Sequence, residues 1–211
     1  LIRELPARIG EQVRIAGFVQ AIRDQKKMQF VVMRDQTGLA QVFHEKGSEN
    51  DALKTVISSL TAESAVEVVG RVIANDKVKL GGLEVVAESV TVSSVASAPL
   101  PITAESSLDL QMDWRMLSLR RRENLLVFQV QTTMEYAMRK CWEENGFIEM
   151  HSPKLMATAS ESGAELFQLE YFGQKATLAQ SPQFYKQMAM AAGFDRVFEI
   201  APVFRANPSF T

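Results

Sequence analysis

The groups in this sequence best placed to do chemistry are cations and amides set beside apolar runs. Arg205 ends the stretch Val203-Phe204-Arg205 and is followed by Ala206, so a guanidinium stands at the edge of a short apolar segment. In Gln180-Ser181-Pro182-Gln183-Phe184-Tyr185-Lys186-Gln187, Pro182 can open a helix at its first position. Gln183 and Lys186 then fall three apart on one helical face, where two donors converge. A guanidinium can hydrogen-bond two anionic groups at once, and an ammonium recognises a carboxylate through a charge-assisted bond. Taken singly, each has an ordinary alternative: a surface arginine and a solvated lysine. His44 and His151 are the only histidines and lie far apart, which fits structure or surface better than a metal site, and the single Cys141 gives no thiolate cluster. The chemistry these residue types allow is anion binding and charge stabilisation by positioned donors, with no triad.

Two kinds of element must position them. From residue 12 to 94 apolar residues alternate over short runs, as in Val13-Arg14-Ile15-Ala16-Gly17-Phe18-Val19, Phe30-Val31-Val32-Met33 and Leu39-Ala40-Gln41-Val42-Phe43. These are strand signals. Asp35-Gln36-Thr37-Gly38 offers turn chemistry, with Gly38 free to take a positive φ, and a hairpin is the natural reading. Ser48 is a candidate cap for a helix carrying Leu53, Val56, Ile57 and Leu60, after which strand character returns over 65–72 and 83–92. Three strands, a helix and two strands is the order of a five-stranded OB-fold barrel, a common oligonucleotide platform. An unrelated small barrel with a structural role has the same pattern. Residues 93–107 are rich in small residues and carry Pro99 and Pro101, which marks a linker.

Beyond it Leu126, Val130, Met134, Ala137 and Cys141 recur at helical spacing, and Gly146 supplies a C-terminal cap. Short strand-like pieces follow at 147–149 and 177–179, then the helix at Pro182, then 196–201 and 203–206. The fold class expected is α+β: a barrel domain over 1–95, a linker over 96–112, and an incomplete second domain over 113–211.

The 211 residues carry a formal net charge of −2, so no global basic footprint points to a polyanion, and any such partner must be met locally. The lone cysteine fits a reducing, cytoplasmic setting. No run of about 18 apolar residues suggests a membrane span.

Gly146-Phe147-Ile148-Glu149-Met150-His151-Ser152-Pro153, following a long helix, resembles motif 1 of class II aminoacyl-tRNA synthetases. The octet at 180–187 resembles the aspartate-binding segment of the aspartyl-tRNA synthetase family. Nineteen residues before it, Glu161 in Ser160-Glu161-Ser162-Gly163 matches that family's substrate-covering loop. Phe198-Glu199-Ile200-Ala201-Pro202-Val203-Phe204-Arg205-Ala206 resembles motif 2, whose strand arginine meets ATP. The resemblance covers nearly the whole chain and is to the archaeal-type form.

It implies an aspartate–tRNA ligase using ATP and magnesium (Mg2+). L-aspartate and ATP would give aspartyl-adenylate and pyrophosphate, and the aspartyl group would pass to tRNA(Asp), with tRNA(Asn) left open as a second substrate. Arg205 would be the catalytic residue. Glu161, Gln183, Phe184, Tyr185, Lys186 and Arg205 would bind aspartate, with Glu161 near the α-ammonium; Arg205, Ala206 and Asn207 would bind ATP. Lys186 would favour a carboxylate over the amide that asparaginyl relatives select. In the barrel Arg23, Phe30 and Gln41 would contact the anticodon, by stacking on Phe30 and hydrogen bonds from the other two, while Gln20 and Lys79 fall where discrimination between the two tRNAs is set. Whether Phe30 is instead barrel core stays open.

Motif 1 also implies a homodimer, with Pro153 and the preceding helix near its interface, although helical spacing alone does not separate an interface stripe from a core one. The pattern departs at Asn207, where the family carries an acidic residue. The chain stops at Thr211 before any motif 3 or acidic magnesium ligands, so no metal site is expected within it and the expectation is the front part of a longer protein, inactive alone. The alternative is a non-catalytic tRNA-binding relative that keeps the barrel and a synthetase-like remnant.

Overall fold

A computed structural model describes residues 1–47, 52–157 and 166–206. Alternation of apolar residues gives five strands that close on one another: β1 (Gln12–Asp24), β2 (Met28–Asp35), β3 (Gly38–Glu45), β4 (Ala65–Ala74) and β5 (Leu83–Ser94), in the barrel order β1-β2-β3-β5-β4. All neighbours are antiparallel except β3 and β5, whose parallel pairing sets Gln41 opposite Glu84. Closure removes the free edges an open sheet would present. The expected order of three strands, a helix and two strands, and the OB-type barrel it implies, are borne out.

The inward residues form one core that includes Ile15, Val19, Val31, Met33, Val42 and Val68. It is sealed by Ile2 and Leu5 of a 3-10 helix (Ile2–Arg8) and by Leu53 and Ile57 of α1 (Ala52–Ser58). Leu60, predicted as part of that helix, is buried just beyond its end. The candidate cap Ser48 lies outside the described residues.

Two glycines are required by close approach. A Cβ on Gly17 would lie 2.3 Å from the Arg34 carbonyl oxygen, and one on Gly70 would lie 2.2 Å from that of Val86. Gly70 adjoins a register shift between β4 and β5, which tightens the barrel wall. The turn at 35–38 does not use the freedom of Gly38, which is not among the positive-φ glycines. The Asp35 carboxylate makes the turn instead, accepting from the Thr37 N–H (2.6 Å), the Thr37 hydroxyl (2.6 Å) and the Gly38 N–H (3.0 Å). Its other oxygen accepts from Ile2 N–H at 2.8 Å and so seats the 3-10 helix. A side chain that mimics a turn carbonyl removes the need for a left-handed glycine.

The chain separates into two compact units, Leu1–Arg121 and Arg122–Thr211. Residues 96–121, including the stretch predicted as linker, group with the barrel and carry two short helices, α2 (Leu108–Asp113) and α3 (Arg115–Ser118).

The second unit opens with α4 (Arg122–Glu144). Gly146, at φ +76, ends it as predicted: its N–H reaches the Glu143 carbonyl and Phe147 N–H reaches that of Trp142. That pair of bonds is the Schellman closure that a left-handed residue permits. The chain continues through β6 (Ile148–Glu149), β7 (Leu155–Met156), β8 (Gln168–Tyr171), β9 (Gln174–Leu178), α5 (Gln183–Ala191) and β10 (Val197–Phe198). β10 pairs in parallel with β6, and β7, β9 and β8 form a second small sheet. The stretch predicted as strand over 203–206 is not a strand. Among the described residues its ladder-like contact is Phe204 N–H to the Ala179 carbonyl at 2.9 Å, too little to make a ladder.

Gly70→Ala should lower the unfolding free energy by about 1–3 kcal/mol, the usual cost of forcing atoms into a packed wall. Urea unfolding measures it; an unchanged midpoint would mean that the barrel wall yields at this point.

Candidate functional site

In the second unit a buried residue joins the two segments that carry the candidate cations. Ala179 N–H donates to the Lys154 carbonyl at 2.9 Å, and the Ala179 carbonyl accepts from Phe204 N–H at 2.9 Å. Ala179 is 2% exposed. The backbone just before the 180–187 octet is thereby bonded to the backbone just before Arg205. Arg205 is exposed, and no ion-pair or hydrogen-bond partner holds it among the described residues.

The octet turns into α5 at Pro182, and the Ser181 hydroxyl accepts from Gln183 N–H at 3.3 Å. Pro182 is assigned as the cap rather than the first helical residue, a one-residue difference inherent in helix ends. Lys186 is half-buried and likewise without a partner among the described residues, while Gln183 and Phe184 are exposed. The Tyr185 ring packs edge-on against Phe184 at 5.9 Å between centroids. Ala206 is half-buried. Glu161 and Asn207 lie outside the described residues.

A carboxylate not singled out by the sequence fixes the approach to Arg205. The Glu199 side chain is 1% exposed and accepts from Lys154 Nζ (2.6 Å), Ser152 N–H (2.9 Å) and the Ser152 hydroxyl (2.8 Å). Burial pushes its pKa up, but Lys154 and the two Ser152 donors outweigh that and hold it below the ordinary carboxylate range. The chain after β6 is thus bonded to the chain after β10, six residues before Arg205. Trp142 of α4 packs on Phe198 at 4.7 Å between centroids, and Arg139 grips Glu149 of β6 with two bonds of 2.9 and 3.0 Å. The apolar stripe of α4 is not core: Leu126, Val130 and Met134 are each more than half exposed.

The barrel unit has its own cluster. Arg23 donates to Gln41 Oε1 at 3.0 Å and lies over the Phe30 ring at 5.3 Å, and the Phe43 ring is tilted against Phe30 at 5.5 Å between centroids. Gln41 donates in turn to Glu84 at 2.8 Å, and Asn75 reaches the second Glu84 oxygen at 2.8 Å. Phe30 is half-buried and outside the barrel core. Gln20 stands apart from this group: it sits at the β1 bulge and accepts from Arg34. Lys79 is exposed in the turn that Asn75 opens. His44 is buried and His151 exposed. No helix among the described residues is long and apolar enough to cross a membrane.

Residues 13–93 match the OB-fold nucleic acid binding domain family, and residues 107–210 match the family described as tRNA synthetases class II (D, K and N). Residues 107–210 thus belong to the class II tRNA synthetases and residues 13–93 to the OB-fold nucleic acid binding domains. Among curated relatives, the aspartate–tRNA(Asp/Asn) ligase of Methanopyrus kandleri is 44% identical over 206 residues, covering 96% of this chain and 48% of its own. The aspartate–tRNA(Asp) ligase of Thermococcus kodakarensis is 42% identical, covering 94% of this chain and 46% of its own. Among solved structures, the asparaginyl-tRNA synthetase of Pyrococcus horikoshii complexed with asparaginyl-adenylate superimposes with a TM-score of 0.90 at 33% identity, over 98% of this chain and 48% of that one. The chain spans about half the length of the curated relatives it matches.

Sequence reasoning missed Glu199, Lys154, Glu84 and Asn75. Glu199 bonds a lysine 45 residues away, and no local spacing announces such a pair.

Glu199→Gln should cost about 1–3 kcal/mol, because the amide cannot match the charge of Lys154 and turns a donor toward other donors. The folded Glu199 pKa is depressed, so its contribution is complete above the ordinary carboxylate value and is lost as pH falls through the folded one. The acid limb of stability should therefore be flatter in the variant below about pH 4.3. Thermal unfolding across pH 3 to 7, taken as a rough range around that value, checks both; parallel curves for the two proteins would remove Glu199 from the account.

Proposed function

We propose that this chain is the front part of an aspartate–tRNA ligase, whose second unit helps activate L-aspartate with ATP and whose barrel reads the tRNA anticodon. The observation that carries it is the backbone link through Ala179, which bonds the segment before Lys186 and Gln183 to the segment before Arg205. Two cations without partners among the described residues, carried by segments bonded to each other, suit two anions that must meet.

The reaction needs that. An aspartate α-carboxylate oxygen attacks the α-phosphorus of ATP, a new O–P bond forms, and the bond to the β-phosphate bridge breaks to release pyrophosphate. Charge builds on the non-bridging oxygens, and Arg205 stabilises it while orienting the attacking carboxylate. Lys186 binds the substrate's side-chain carboxylate and Gln183 orients it by hydrogen bonds, while Phe184 and Tyr185 shape the octet around them. Glu161 faces the α-ammonium; Ala206 and Asn207 continue the ATP contact. In the second step a ribose hydroxyl of the terminal tRNA adenosine attacks the carbonyl carbon and AMP leaves. No protein nucleophile takes part. Magnesium accompanies ATP in this reading, and no residue is assigned to it, since no three His, Cys, Asp or Glu side chains converge among the described residues.

In the barrel, a base stacks on Phe30 and meets donors from Arg23 and Gln41, with Gln20 and Lys79 near the tRNA(Asp) versus tRNA(Asn) decision. The relatives named for tRNA(Asp/Asn) and for tRNA(Asp) are both similar to this chain, which supports both substrates as candidates. The exposed stripe on α4 and Pro153 face a second copy in a cytoplasmic homodimer.

In the full-length protein, Arg205→Ala should lower aspartate-dependent ATP–pyrophosphate exchange about 10²–10³-fold, the usual effect of removing one donor to developing charge. Activation of asparagine in preference to aspartate would overturn the role given to Lys186. Phe30→Ala should weaken binding of a tRNA(Asp) anticodon hairpin by about 1–3 kcal/mol at fixed salt, read by titration, without altering exchange.

A further inference from the structure

We propose that Arg34 is a positioning residue for the choice between tRNA(Asp) and tRNA(Asn), because it turns the Gln20 amide so that only N–H donors face the anticodon. The inference rests on the anticodon-reading role given to the barrel and deepens it. Every contact it uses lies inside the barrel unit.

Gln20 is the extra residue in the bulge between Val19 and Ala21, and its side chain is exposed. A glutamine amide carries an acceptor at one end and two donors at the other, and left free it turns either way to suit a partner. Here Arg34 Nη1 donates to Gln20 Oε1. A guanidinium has donors and no acceptor, so the amide can meet it only with its oxygen. The Gln20 nitrogen is thereby left for recognition with both of its N–H groups.

Arg34 is itself held. Its Nη2 donates to the two Glu63 oxygens at 2.8 and 2.9 Å, and the pairing leaves the Glu63 and Arg34 side chains each 14% exposed. Glu63 also reaches the bulge through its backbone: its N–H bonds the Val19 carbonyl at 2.7 Å, while Val19 N–H bonds the Ser64 carbonyl at 2.9 Å. One turn therefore fixes the backbone immediately before Gln20 and, through Arg34, the Gln20 side chain. The φ of Glu63 is +69, a conformation that glycine or asparagine would hold at little cost. A glutamate kept in this strained position is explained by what its carboxylate holds.

The locked amide stands on the wall that carries the anticodon cluster. Val31 and Met33 of β2 are buried in the core, so Phe30 and Arg34 project from the other face, roughly 13 Å apart along the strand. A base stacked on Phe30 thus has Gln20 beside it along the same wall, at the place of an adjoining nucleotide. Aspartate codons begin with G and asparagine codons with A, so the two anticodons differ in their third base, C or U. Cytosine carries an exocyclic amine where uracil carries a carbonyl, a donor in place of an acceptor. An N–H group satisfies the carbonyl, whereas two donors facing each other leave both unpaired. Held by Arg34, Gln20 favours uracil and so admits tRNA(Asn) beside tRNA(Asp).

The test titrates the full-length protein at fixed salt with two anticodon hairpins that differ only in C or U as the third anticodon base. Arg34→Met frees the amide to turn its oxygen to the cytosine amine, so the ratio of uracil-hairpin to cytosine-hairpin affinity should fall about 3- to 10-fold. Glu63 keeps Arg120 at 2.9 Å in that variant, so its carboxylate is not stranded. Gln20→Glu, a change at an exposed side chain, keeps one oxygen for Arg34 and presents the other as an acceptor; the ratio should fall at least as far. In a Gln20→Ala background, Arg34→Met should leave the ratio where Gln20→Ala alone puts it. An arginine that only braced the barrel would instead change both affinities by one factor. A ratio unmoved by Gln20→Glu, or an Arg34→Met shift that persists in Gln20→Ala, overturns the proposal. A wild-type protein that binds the hairpins without aspartate-dependent exchange would overturn the ligase reading, and the ratios would still decide the role of Arg34; one that binds neither hairpin overturns both.

Discussion

A site for two anions can be built only from cations that the fold leaves unsatisfied. Most arginines and lysines with a structural task here are saturated by carboxylates: Arg34 and Arg120 by Glu63, Arg139 by Glu149, Lys154 by Glu199, Lys46 by Asp24. Arg205 and Lys186 have no such partner among the described residues. A guanidinium already gripping a carboxylate would have to exchange one anion for another and gain little, so leaving it free is what makes it useful for binding. Freedom of charge must then be combined with rigidity of backbone. The Ala179 bonds to Lys154 and Phe204 supply that rigidity without consuming either side chain.

The barrel was legible because its signals are local and repeated. Alternation over residues 12–94 fixes which face of each strand is buried, and a slip of one residue would turn Val31 and Met33 to solvent. Gly146 was legible for the same reason, since a helix end needs a left-handed residue at one position. The turn at 35–38 was legible, but which residue carries it was not. Asp35 and Gly38 both favour turns, and only the Asp35 hydrogen bonds reveal which of them carries this one. The segment 203–206 has strand composition without a ladder, and composition cannot report the absence of a partner.

Other features could not have been read locally at all. The stripe on α4 has the spacing of a buried face, and Leu126 and Val130 are nonetheless exposed, since periodicity states that a face is apolar and not what covers it. Gln20 and Arg23 are three residues apart on one strand, but Gln20 is the extra residue in the bulge between Val19 and Ala21, and it joins Arg34 while Arg23 joins Phe30. The motifs single out Arg205 and Lys186 by type and register. They did not locate Glu199 or Glu63, whose partners lie 45 and 57 residues away.

These distant acids share a logic with Glu84. None of the three needs to meet a substrate, and each spends its charge on orienting a neighbour. Glu84 takes the amide nitrogen of Gln41 while Arg23 takes its oxygen, which settles the direction of an amide that could otherwise rotate. Phe30, held by Arg23 and Phe43, is half-buried before any base arrives, so stacking would cost it little further freedom. Glu199 acts on backbone in the same way, binding Ser152 and Lys154 while Arg205 stays exposed six residues on. Preorganisation in this chain thus comes from buried and half-buried carboxylates that hold their neighbours still, and the groups suited to recognition are those that such carboxylates leave unpaired.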